Sequence, residues 1–182
     1  MTLNEILQAI ATEIKNKITP LRTCDTHGGR FDLQELLRVA AQSPGVFVSI
    51  VSVDDVKSLH GEFEALITFG AFSVAKDTPS ADRSAMGLTI VQALASVIPN
   101  NMWGLDESVT KPESINAKNL YSGALDKKGV SLWGTTWRQR MSLGTAVNVS
   151  DLGDFLLMHM DYDVDADQEN EPTTTDDIQL PQ

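Results

Sequence analysis

Apolar positions at the start of the chain recur at helical spacing. Leu3, Ile6, Leu7, Ile10, Ile14 and Ile18 make one stripe with charged residues on the other side, which predicts a helix ending before Pro20. Thr2 and Glu5 stand three apart, the spacing of a capping box. Residues 21–31, containing Thr26, Gly28 and Gly29, read as a loop. A second helix is predicted from Asp32, as its N-cap, to Gln42, with Leu33, Leu36, Leu37 and Ala40 inward; Ser43-Pro44-Gly45 stops it.

The period then changes. Val46 to Val53 is short, β-branched and apolar on both faces, as a central strand should be. Asp54 and Asp55 open an expected turn region reaching Gly61. From Glu62 to Val74 a longer strand sets Phe63, Ala65, Ile67 and Phe69 against Glu62 and Glu64, and the close connection makes the two strands antiparallel neighbours. A third helix is predicted over Arg83–Ile98, buried along Gly87, Ile90, Val91, Leu94 and Val97, with Gly87 permitting close approach to a neighbouring element. Residues 100–130 read as irregular, with short extended pieces near Glu113–Leu120. Ser131 to Met141 alternates: Trp133, Trp137 and Met141 share one face, Arg138 and Arg140 the other. Leu152–Tyr162 reads equally as a short helix or a final strand.

These elements predict one α/β (α+β) domain over residues 1–162: a mixed, largely antiparallel sheet flanked by helices. With 42% apolar residues, 182 residues suffice for a sizeable core. The N-terminus lacks the unbroken apolar run of a signal peptide, and no run approaches a membrane span, so a soluble chain with no membrane partner is expected. A single cysteine, Cys24, excludes an intramolecular disulfide and fits a reducing compartment.

Charge changes the picture at the C-terminus. Residues 1–140 hold all 14 Lys and Arg against 15 Asp and Glu, whereas the rest of the chain carries ten acidic residues and no Lys or Arg. With no basic stripe in a chain of net charge −11, nucleic acid is a poor main partner. The segment 163–182 is acidic, polar and almost free of large apolar residues, and is expected to stay disordered until it meets a partner.

Candidate chemistry is sparse. Asp161, Asp163, Asp165 and Asp167 imitate the start of a calcium loop, but neither register supplies the glycine at position six or the glutamate at position twelve. His27, His60 and His159 show no ligand spacing, Gly28-Gly29 lacks the rest of a phosphate loop, and Cys24 has no local base. No catalytic, cofactor or metal residue is therefore assigned. Arg138 and Arg140, side by side on one strand face, suit docking of carboxylates, and Asp163, Asp165 and Asp167 suit docking on a basic surface.

Two helices, the strand Pro44-Gly45-Val46-Phe47-Val48, a long strand, a helix through Ala93-Leu94 and a Trp103-Gly104-Leu105 turn follow in an order that resembles the tail terminator family of Mu-like contractile-tailed bacteriophages. The resemblance continues through Ile115-Asn116-Ala117-Lys118-Asn119-Leu120-Tyr121-Ser122, Leu125-Asp126-Lys127-Lys128-Gly129-Val130 and the closing strand Ser131–Met141. It spans roughly residues 3–162 and consists of diffuse hydrophobic patterns without catalytic residues. It implies a structural protein of the virion, assembled in the host cytoplasm: a six-fold ring at the head-proximal end that caps the tail tube and sheath, fixes tail length and supports head-to-tail joining. The partners so implied are further copies of the chain, tube protein, sheath protein and a neck or head–tail connector protein. Another connector or baseplate component, a small host-encoded binding module, and an enzyme are the competing readings.

Overall fold

The computed structural model describes residues 2–19, 21–29, 33–59, 62–79, 81–120, 123–145, 157–162 and 174–179. The chain divides into two compact units, Met1–Thr145 and Ala146–Gln182.

In the first unit the order is α1 (Leu3–Lys17), β1 (Thr23–Thr26), α2 (Leu33–Ala40), β2 (Gly45–Leu59), β3 (Glu62–Lys76), α3 (Arg83–Val97), β4 (Glu113–Asn119), α4 (Gly123–Asp126) and β5 (Val130–Thr145). Five strands form one sheet in the order β1-β2-β3-β5-β4. Only β1 and β2 are parallel; the other three pairings are antiparallel, so the sheet is mixed and largely antiparallel, as expected.

The helices form where the sequence placed them, for reasons visible in their ends. Thr2 accepts from the Glu5 backbone N–H while the Glu5 carboxylate receives the Thr2 N–H at 2.7 Å, a complete capping box. Asp82 caps α3 by accepting from the N–H groups of Ser84 and Ala85. The expected cap of α2, Asp32, lies outside the described residues; Val39, not anticipated as inward, is fully buried.

Strand parity sorts the core into two layers. On one face Val46 and Val48 of β2, Ala65, Ile67, Phe69 and Ala71 of β3, and Trp137 and Met141 of β5 pack beneath α1 and α3. On the other, Phe47, Val74, Val130 and Leu132 are covered by α2 and by Leu125 of α4. Trp137 is completely buried, stacked on Phe69 at 5.5 Å and tilted against Trp103 at 5.6 Å between ring centres. Where α3 crosses the sheet, a Cβ on Gly87 would come within 3.0 Å of Ser131 Oγ and 3.3 Å of the Trp133 ring. The close approach expected of Gly87 is thus met by β5.

Two strands differ from the sequence reading, and α4 forms within residues read as irregular. Residues 23–26, read as loop, form β1, because pairing of Thr23–Thr26 with Gly45–Val48 supplies the ladder that their own composition does not announce. β2 continues to Leu59 through two register shifts, at Ile50/Ser52 and Asp54/Lys57, where a turn had been expected from Asp54. The shifts carry its second half past the cover of the helices, so Val51, Val53 and Val56 face solvent. The segment 100–110 lies along β5, where the Trp103 indole donates to Gln139 Oε1 at 2.8 Å and Gln139 Nε2 donates to the Thr110 carbonyl at 2.8 Å. Gln139 is itself fully buried.

In the second unit β6 (Leu157–Tyr162) and β7 (Thr174–Gln179) form an antiparallel hairpin in which His159 stands opposite Asp177. The extended alternative for residues 157–162 is therefore the one realised. The expected disorder of the acidic segment concerns, for 163–173 and 180–182, residues outside those described.

Candidate assembly surfaces

The groups able to do chemistry are kept apart by the sheet. Cys24 stands opposite Val46 and packs against the core under α1, whereas His27, just beyond β1, lies against the Phe47 ring on the other face. The Gly29 N–H donates to His27 Nδ1 at 3.0 Å, so Nε2 carries the proton it shares with Glu35 at 2.8 Å. This is an orienting hydrogen bond that ties the loop after β1 to α2. His60 lies outside the described residues, and among those described no group of three or more His, Cys, Asp or Glu side chains could hold a metal.

Two measurements check these environments. Burial pushes the Cys24 thiol up to about 12, which leaves almost no thiolate at neutral pH. Iodoacetamide should therefore modify Cys24 in the native protein at least roughly a hundredfold more slowly than in the urea-unfolded chain. Equal rates would show that the thiol is not buried as described. Glu35 is held down to about 2 by hydrogen bonds from Arg38 and then His27, against 4.5 unperturbed. Because the folded value is the lower one, the stabilisation is present above pH 4.5 and disappears as pH falls towards about 2. Glu35→Gln should flatten the loss of urea stability across that window; an unaltered acid limb would contradict the assignment.

Arg138 and Arg140 do share the face opposite Trp137, but their surroundings differ. Arg140 pairs with Leu66 in the β3 ladder, and its guanidinium reaches Asp55 of the β2 extension, which also binds Lys57 at 3.0 Å. It is thus engaged within its own chain. Arg138 stands between Thr68 and Glu113 on the two neighbouring strands and forms no ion pair with a described residue. Asp163, Asp165 and Asp167 lie outside the described residues.

The surface that sequence reasoning missed is the outer side of α3. Only Gly87, Ile90 and Leu94 of this helix are buried, while Leu88 is 53% exposed. From Ser84 to Leu105 the chain has no Asp, Glu, Lys, Arg or His. A helix apolar on the inside and uncharged on the outside does not match a solvated surface helix, which carries charge on its free face. Beside it, between α3 and the loop after α1, runs a groove of about 300 Å³ lined by Ile18, Leu21, Pro44, Met86, Ile90 and Ala93. The signal in the sequence is an uninterrupted uncharged run, which apolar periodicity does not register. Among the described residues no helix is long and apolar enough to cross a membrane.

No family model matches this sequence, and no curated protein matches it. Among solved structures the chain is similar to one from "Virion of native gene transfer agent (GTA) particle". The two are 12% identical with a TM-score of 0.46, over 78% of this chain and 99% of that one.

Proposed function

We propose that this chain is a non-enzymatic structural component of a phage-like particle, acting as a tail terminator. Copies assemble as a ring on the head-proximal end of the tail, in contact with tube, sheath and neck proteins. The observation that carries the reading is the uncharged outer face of α3, with its exposed leucine and adjoining apolar groove. Such a face can be desolvated without stripping water from any charge, the property that separates the core of an interface from ordinary surface. The family resemblance of residues 3–162 supplies the setting in which a protein of this size acts by surface alone.

A closed ring needs two different patches on each subunit, because the contact is head-to-tail. The α3 face is one, and the exposed part of β2 around Val53, which stands opposite Ile67, is proposed as part of a second. Arg138 is left for a carboxylate of a neighbouring subunit or protein, and the acidic residues 163–182, with Asp163, Asp165 and Asp167, for basic surface on another subunit, sheath, tube or neck. Particles produced without this protein test the proposal. Tubes of unregulated length, or tails unable to join heads, are expected in electron micrographs; tails of normal length joined to heads would reject it.

A further inference from the structure

β4 ends the sheet, so one side of its backbone has no strand partner among the described residues. All seven of its residues are exposed. Bare edges invite pairing with further strands, and proteins commonly blunt them with bulges and lysines. β4 has both, with Ser114 at φ 53° inside the register shift between Glu113 and Asn116, and Lys118 near its end. The regular part, Asn116–Asn119, remains open.

The charges around this edge are one-sided. Lys111 precedes β4, Lys118 and Arg138 share one face of the β4–β5 ladder, and Lys127 and Lys128 follow in the turn into β5. None of the five forms an ion pair with a described residue. Of the nearby acids, Asp126 is already taken by Arg83, which leaves Glu113. A lysine-flanked edge discourages a second β4 and favours an extended segment of opposite charge.

The chain itself contains such a segment. The unit Ala146–Gln182 carries ten acidic residues and no Lys or Arg, and its described residues are the strands β6 and β7, the latter holding Asp176 and Asp177. We infer that the β4 edge receives the acidic C-terminal unit of a second copy, which adds to the sheet by backbone pairing and is selected by the cations beside it. The donor being a neighbouring copy rests on the ring reading above. Each subunit then gives one acidic segment and accepts one, a head-to-tail relation that propagates around a ring.

Equal amounts of isotopically light and heavy full-length protein, mixed and treated with a carbodiimide that joins amines to carboxylates, locate the contact by mass spectrometry. Mixed-isotope peptides linking Lys111 or Lys118 to acids beyond residue 146 are expected. Sedimentation tests the energetics: Lys111→Glu with Lys118→Glu should weaken self-association roughly tenfold or more. Asp176→Lys with Asp177→Lys, added to that variant, should recover most of it. Links confined to single copies, no links, or association indifferent to the reversal would overturn the inference. Rings present on tails without mixed-isotope links would sink this contact and spare the terminator reading. Mixed links in a protein whose absence leaves tails normal would do the opposite.

Discussion

Trp137→Ala is expected to cost roughly 3–5 kcal/mol of unfolding free energy, enough to unfold much of the population near physiological temperature. Trp137 is wholly buried at the centre of β5, and β5 is the strand that joins β3 to β4. Its ring also supports Trp103, whose backbone sits at φ 59°, in the left-handed region that bulky residues avoid. Holding Trp103 there costs about 1–3 kcal/mol, offset by its burial and its bond to Gln139. Removing the Trp137 ring therefore opens a cavity and loosens the anchor of the 100–110 segment together. Trp137→Phe should retain the stack on Phe69 and lose substantially less. A urea midpoint unchanged by the alanine substitution would mean that this layer is not the core.

Leu88→Glu has the opposite character: little effect on the subunit, a large one on its assembly. Leu88 is more than half exposed in α3, so the change should move stability by no more than about 0.5 kcal/mol. At the proposed subunit contact, the same carboxylate would be buried without a partner, costing at least roughly 2 kcal/mol, about thirtyfold in affinity. Circular dichroism and thermal melting should match the parent protein while ring assembly on tails is lost. Leu88→Met should assemble. If Leu88→Glu assembles normally, α3 is not a subunit contact.

The parts of the fold legible in the sequence were those decided locally. The α1 stripe and its Thr2–Glu5 cap, the alternation of β3, and the split of β5 into tryptophan and arginine faces all depend on side chains within a few residues of one another. What depended on distant partners was not legible. β1 has four residues of mixed character and exists because Val46–Val48 lies beside it. The β2 extension survives its aspartates because register shifts let it follow β3 to the end. Arg138 and Arg140 looked equivalent along the strand, and only Asp55, 85 residues away from Arg140, distinguishes them. The α3 surface was written in the sequence as an absence of charge, which periodicity analysis does not register.

Cryo-electron microscopy of intact particles tests most directly whether this molecule works by contact and position. A single ring of this fold is predicted where tail meets head, with the outer side of α3 shut away between neighbouring subunits. Density for the fold at the distal tip, or a chain missing from mature particles altogether, would contradict it.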